Sequence, residues 1–211
     1  MPKEDLPQVW ADLDMPSGYA YGKSFRTVKT CVGKDYCRFG TGDSTGLGIG
    51  LESRFQGIEA PAKLKLAVSG CPRNCAESLV KDVGVVAVEG GRWEIYVGGA
   101  AGAHIRKGDL LVTVDTPEEV TPPGRPVHAV LQGERQLART DVRLCAPPGS
   151  IEHLRSVILE DSEGIASRLD AAMQASVDAY ADPWSERDDP LTPGQFRTSL
   201  PLTVLPQVPV R

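Results

Sequence analysis

The chain has 211 residues, of which 41% are hydrophobic and 24% charged, and a formal net charge of −5. This composition is typical of a soluble globular protein, and no apolar run is long enough to predict a membrane span. The acidic balance, with no basic face visible in the sequence, argues against a nucleic-acid partner. No signal peptide is recognisable, so we expect a cytoplasmic protein. Five cysteines without an export signal favour metal binding or catalysis over disulfides.

The first half of the chain alternates between strand and helix patterns. Residues 1–26 predict a lead-in with one short amphipathic helix. Residues 27–31 are β-branched and predict a strand that runs straight into Cys31. A glycine-dense stretch then leads to a helix over residues 44–57.

Two further strands and a hairpin follow. Residues 63–69 alternate charged and apolar side chains, which predicts a half-buried strand ending at the second cysteine pair. Residues 82–89 predict another strand, and residues 93–97 its hairpin partner across a Gly90-Gly91 turn. Strands mixed with helices predict an α+β fold, a mixed sheet with helices packed on it.

The last third predicts helices and then a tail. Apolar spacing predicts two helices within residues 150–182, the second over about 165–180 with Asp161-Ser162 as its N-cap. We interpret the apolar stripe of that second helix as core packing rather than a cofactor site: Ile165, Leu169, Met173 and Val177. Residues 183–211 are rich in proline without periodicity and predict an extended tail.

The spacing of four cysteines indicates a metal or cluster site. They occur as Cys31-x5-Cys37 and Cys71-x3-Cys75, with 33 residues between the pairs. A structural zinc site usually has Cys-x2–4-Cys knuckles, and the first pair is too wide for that pattern. Iron–sulfur clusters accept more varied spacing and all-thiolate ligation. The spacing therefore favours an iron–sulfur cluster, with a zinc site or four unrelated buried cysteines as alternatives.

The residues around both pairs resemble a known family. Residues 69–75 (SGCPRNC), followed by residues 82–85 (DVGV), resemble the signature of the siroheme nitrite and sulfite reductases. Residues 30–44 (TCVGKDYCRFGTGDS) resemble the large subunit of the NAD(P)H-dependent assimilatory nitrite reductase. The resemblance continues through residues 93–106 and again from residue 151 onward.

This resemblance implies cofactors and a reaction. In that family four cysteines ligate a 4Fe–4S cluster, and the last also bridges to a siroheme iron, which here is Cys75. It implies six-electron reduction of nitrite to ammonia in nitrate assimilation, with FAD and NAD(P)H acting only through domains absent from this chain. A sulfite reductase portion or a non-catalytic iron–sulfur electron carrier are the alternatives. The cluster ligands implied are Cys31, Cys37, Cys71 and Cys75, and the implied siroheme contacts are Arg38, Arg73, Asn74, Gly98, Gly99 and Arg106; no catalytic residue is implied.

The resemblance also predicts a domain order. Residues 1–26 would end a preceding reductase half that is missing, residues 27–116 would bind the cofactors, and residues 150–182 would form C-terminal helices. Because that half and the electron-donating domains are absent, we expect the isolated chain to reduce nitrite far more slowly than a complete reductase.

Residues 117–149 depart from the family. The family carries an aromatic-rich helical segment here, whereas this chain is polar, with Gly133 and Pro147-Pro148 as helix breakers. Permissible codons for these residues, read one nucleotide later, encode an aromatic-rich string like that of the family. We infer a compensated frameshift over roughly residues 122–149, with a lineage-specific insert as the alternative. We therefore expect residues 117–149 to be irregular or exposed, and Cys145 to be no ligand.

Overall fold

A computed structural model describes residues 5–14, 23–58, 60, 63–120, 150–164 and 166–181. The inferred frameshift over 122–149, with Cys145, and the predicted tail over 183–211 lie outside the described residues. The chain divides into two units, residues 18–180 and a second formed by residues 1–17 and 181–211. In the second unit the predicted lead-in helix is present as α1 (Leu6–Leu13). No helix in the described part is both long and apolar enough to cross a membrane.

The larger unit is built on a mixed sheet. Strands β1, β2 and β3 run parallel to one another, and β4 and β7 continue the sheet antiparallel. Strands β5 and β6 form a separate two-stranded sheet. The strands are β1 (Lys29–Thr30), β2 (Leu66–Ser69), β3 (Val83–Ala87), β4 (Trp93–Val97), β5 (Ala100–Ala101), β6 (Ile105–Arg106) and β7 (Asp109–Val114).

The sequence located most of these strands. The strand before Cys31 and the β3–β4 hairpin are confirmed, the latter turning through Gly90 and Gly91 with φ of 80° and 77°. The predicted half-burial of residues 63–69 is wrong for β2, whose four residues are all buried. A strand between two parallel neighbours is covered on both faces, so its alternation of polar and apolar residues disappears. The sequence did not predict β7.

Four helices accompany this sheet in the described residues: α2 (Gly33–Tyr36), α3 (Ser44–Phe55), α4 (Ser150–Leu159) and α5 (Ala166–Asp178). The predicted helix after the glycine-dense stretch is α3, whose N-terminus is capped by Asp43, since its Oδ1 accepts from the Gly46 amide at 2.8 Å. The buried core joins α3, the sheet and the two C-terminal helices through Leu51, Phe55, Val68, Val85, Ile95, Leu111, Leu154 and Met173.

The second C-terminal helix packs against the core through part of its predicted apolar stripe. Met173 is buried and Val177 packs against the core, whereas the side chains of Ile165 and Leu169 are not among those described. The predicted N-cap is wrong, because α5 begins at Ala166.

Of residues 117–149 the structure describes Pro117–Val120, a 3-10 turn. Val120 in this turn is fully buried, so the expected exposure is wrong at this residue.

Candidate metal centre

The sheet brings the two cysteine pairs to one edge. Strands β1 and β2 are parallel neighbours, with Thr30 opposite Val68. Cys31 directly follows β1, and Cys71 follows β2 after a single glycine. Because parallel strands end at the same edge of a sheet, both cysteine loops leave from this edge. We call residues 31–44 and 69–75 the carboxyl edge.

One residue, Gly70, joins the two loops through both its amide and its carbonyl group. The Gly70 amide donates to Cys31 Sγ at 3.1 Å. Its carbonyl accepts from the amides of Thr41 at 2.7 Å and Gly42 at 3.0 Å, and from Thr41 Oγ1 at 3.0 Å. A Cβ at this glycine would lie 2.9 Å from both the Gly33 Cα and the Gly42 carbonyl oxygen. A side chain here would therefore push the loops apart.

The Cys31 thiol lies among hydrogen-bond donors. Its sulfur is 3.2 Å from Ser44 Oγ, at the N-terminus of α3, a contact in which either atom can donate, and Ser44 Oγ donates to the Cys31 carbonyl at 2.9 Å. Burial raises the pKa of Cys31, but hydrogen bonds from Ser44 and Gly70 outweigh it and bring the pKa below the usual thiol value. The thiolate is the form that binds metals, so this side chain is prepared for ligation.

All four predicted ligands are free thiols. Cys71 is buried, Cys31 and Cys37 are half-buried, and Cys75 is exposed. Among the described residues, these four included, no three His, Cys, Asp or Glu side chains are close enough to hold one metal ion. The set consists of thiolates alone, which is the ligation that 4Fe–4S clusters use.

The second loop is closed by internal hydrogen bonds. Asn74 has a positive φ of 57°, and its Oδ1 accepts from the Leu79 amide at 3.2 Å and from Ser69 Oγ at 3.4 Å. Ser69 Oγ also lies 2.8 Å from Ser78 Oγ in the buried interior. The Asn74 side chain thus holds the turn between Cys71 and Cys75.

Two of the three predicted arginines, Arg38 and Arg73, meet on one aromatic ring. The guanidinium carbons of Arg38 and Arg73 lie 4.5 Å and 3.8 Å from the centroid of the Phe39 ring. This stacking links the Cys37 loop to the Cys71 loop. Phe39 is 42% exposed, and Tyr36 and Val32 of the same loop are 85% and 55% exposed. We call these five residues the aromatic–arginine patch.

Arg106 and the glycine turn have internal partners. Arg106 donates to the Gly98 carbonyl at 2.8 Å and forms an ion pair with Asp109 at 2.6 Å. The Gly98 amide donates to the Asp82 carbonyl at 2.9 Å, so it is engaged within the fold rather than left for a cofactor carboxylate. A Cβ at Gly99 would lie 2.5 Å from the Lys81 carbonyl oxygen, which explains the second glycine by close packing.

Sequence reasoning missed a basic surface. A cavity of about 410 Å³ is lined by Arg26, Thr27, Lys29, Lys63, Lys65, Leu66 and Lys81. The expectation that no basic face exists is therefore wrong, because parallel pairing gathers cations from three separate segments. The lysines just before two strands were a signal that could have found it.

Comparison with known proteins decides the family. A family model described as the nitrite and sulphite reductase 4Fe-4S domain matches residues 21–140. The chain belongs to this family. It is 53% identical over 186 residues to the NAD(P)H nitrite reductase of Bacillus subtilis, which covers 87% of this chain and 22% of that protein. It is 41% identical over 111 residues to an assimilatory-type sulfite reductase of Nitratidesulfovibrio vulgaris, covering 53% of this chain and 50% of that protein.

These matches cover only part of each relative. The chain spans about a fifth of the length of the curated nitrite reductases it matches. The solved structure of the Mycobacterium tuberculosis NirA protein matches 81% of this chain and 32% of that chain, with a TM-score of 0.53 at 20% identity. This match confirms the predicted α+β fold.

Proposed function

We propose that this chain is the part of a nitrite reductase that holds a 4Fe–4S cluster and siroheme, in an enzyme that reduces nitrite to ammonia during nitrate assimilation. The observation that carries the proposal is the carboxyl edge, where two pairs of free thiols lie on loops joined through Gly70. Electrons from NAD(P)H through FAD would arrive by domains outside this chain.

Each cysteine has a proposed part. Cys31, Cys37 and Cys71 would ligate the cluster, and the exposed Cys75 would ligate it and also reach the siroheme iron. The Gly70 amide would remain a donor to the Cys31 sulfur when that sulfur ligates the cluster, and Ser44 Oγ would stay in contact with it. When bound, the two cofactors supply the electron transfer and the reduction of nitrite.

The aromatic–arginine patch supports a siroheme site. Siroheme is an apolar ring with many peripheral carboxylates, and the patch offers exposed apolar side chains beside two arginines. A guanidinium pairs with a carboxylate through two parallel hydrogen bonds. Stacking on Phe39 keeps the Arg38 and Arg73 guanidinium groups beside the cysteine loops. We therefore assign these two arginines to the carboxylates, and Asn74 to holding the Cys71–Cys75 turn.

Nitrite is the proposed substrate rather than sulfite. Identity to the nitrite reductase of Bacillus subtilis is higher, and extends over more of the chain, than identity to the assimilatory-type sulfite reductase. Sulfite reduction and a purely electron-carrying role remain outcomes of the test.

The test is anaerobic reconstitution of the 211-residue chain with iron, sulfide and siroheme, followed by absorption spectroscopy. We expect Soret and red bands of siroheme together with the broad brown absorption of a cluster. Addition of nitrite should shift the siroheme bands at lower concentration than sulfite; the reverse order would favour a sulfite reductase. Cluster absorption without siroheme bands would favour an electron carrier. Zinc without visible absorption would contradict the proposal.

A further inference from the structure

The cation-lined cavity, which we call the lysine groove, lies at the other end of the parallel strands from the cysteines. Arg26 precedes β1 and Lys29 is the first residue of that strand, whereas Lys63 and Lys65 precede β2 and Lys81 precedes β3. Since β1, β2 and β3 are parallel neighbours, their amino ends share one edge. The groove therefore lies towards the amino ends of these strands, whereas the cysteine loops leave from their carboxyl ends.

The groove holds more positive charge than the fold neutralises. Glu77 pairs with Lys29 at 2.9 Å and with Lys81 at 3.2 Å. The Asp82 carboxylate also interacts with Lys65 and Lys81, so two carboxylates face five cations. Among the described residues, the side chains of Arg26, Lys63 and Lys65 form no ion pair. Like charges gathered in one groove repel one another. The chain as a whole has a net charge of −5, so the positive charge of the groove is confined to this part of the surface.

Arg26 provides a second, independent observation. Its Nε atom is buried and has no hydrogen-bond partner in the described part of the chain, although the residue lines the groove. Buried N–H donors in folded proteins are almost always satisfied, and an exception calls for an explanation such as an absent ion. An anion in the groove would place a negative charge beside this guanidinium.

We propose that the lysine groove binds a small anion carrying two or more linked phosphate groups. Its volume of about 410 Å³ lies in the range of small-molecule sites. A guanidinium fork and ammonium groups match phosphate oxygens. Within the residues that the structure describes, Arg26, Lys63 and Lys65 are three groove cations without an ion pair, and the several negative charges of linked phosphates match them better than the charge of a single phosphate does. Free polyphosphate and the diphosphate of a nucleotide share this chemistry.

The experiment is calorimetric titration of the full chain with inorganic tripolyphosphate and, separately, with ADP at low salt. We expect tripolyphosphate to bind, with an affinity that falls as salt rises. The Lys63→Glu/Lys65→Glu pair should weaken binding at least tenfold, because it reverses two exposed cations of the groove. Arg92→Glu/Arg168→Glu makes the same change in net charge at exposed residues outside the groove, and should change affinity less than threefold.

The outcomes distinguish free polyphosphate from a nucleotide as the ligand, and they test the groove independently of the proposed nitrite reductase function. Comparable binding of ADP indicates that the groove accepts nucleotides, and binding of tripolyphosphate alone indicates free polyphosphate. If the charge-reversed pair fails to fold, Lys63→Gln/Lys65→Gln makes the same test with a smaller expected loss. No binding by the unaltered chain, or equal losses in groove and control pairs, would overturn the proposal. The cluster spectrum should be unchanged in every variant, so this test can fail while the proposed function stands.

Discussion

The two ends of strands β1 to β3 are built on different principles. At the carboxyl edge, backbone groups meet directly, with Gly70 bonded to both Cys31 and the Thr41–Gly42 segment and no room for a methyl group. At the amino end, long charged side chains surround an open groove and few of them are paired. The first end is organised by close packing and the second by charge. We therefore expect the first to respond to added or removed atoms, and the second to salt, pH and anions.

The largest effect should come from removing a ligand at the carboxyl edge. Cys37→Ser should lose the cluster, so that iron per chain falls from about four towards zero, and the chain should unfold at lower temperature because ligation energy is also folding energy. Iron and sulfide analysis after anaerobic reconstitution measures it. Cys145→Ser is the matched control and should keep its iron. Four irons retained in Cys37→Ser would remove this cysteine from the ligand set.

A single methyl group gives the next largest effect. Gly70→Ala should lower the free energy of unfolding by about 2 kcal/mol, because its Cβ would press on the backbone of two other residues. Gly50→Ala is the control, as a Cβ there meets nothing within 4 Å on an exposed part of α3. It should raise stability by about 0.5–1 kcal/mol through helix propensity. Urea denaturation of both variants measures the contrast, and equal effects would show that the carboxyl edge is not closely packed.

At the amino end of the strands, we expect a smaller effect, in which the stability of the fold depends on pH through Asp82. Burial raises the pKa of this carboxyl group, and the hydrogen bond from the Lys65 amide to Oδ2, at 2.8 Å, opposes the rise only in part. The folded state then holds the proton more tightly than the unfolded chain. Stability should therefore fall as pH rises from about 4, the ordinary carboxyl value, towards neutral.

Asp82→Asn tests this by removing the titration while keeping an oxygen acceptor. We expect its stability at pH 7 to stay within about 1 kcal/mol of the unaltered chain and to vary less with pH. Urea midpoints at several pH values between 4 and 7 would show the difference. A steeper pH dependence in Asp82→Asn would mean that another group controls this end.

The sequence predicted local features better than long-range ones. Strands running into both cysteine pairs and the β3–β4 hairpin follow from β-branched runs and turn glycines, which act over a few residues. The lysine groove could not be predicted in this way, because its cations come from three segments that only parallel pairing brings together. For the same reason, the sequence did not predict strand β7 or the internal hydrogen-bond partners of Arg106 and Gly98. A charged residue looks the same in sequence whether it meets a cofactor or a neighbouring strand.

The bond between Gly70 and Cys31 also has a consequence for the order of events during synthesis. The first two cysteines leave the ribosome well before residue 70, and the peptide that ties their loop is 39 residues further along the chain. The loop cannot take its final shape until β2 has paired with β1, a non-local step of the kind that slows folding. We therefore expect a cluster delivered to the nascent chain before that pairing to find only two thiols, and productive insertion to follow closure of the parallel strands.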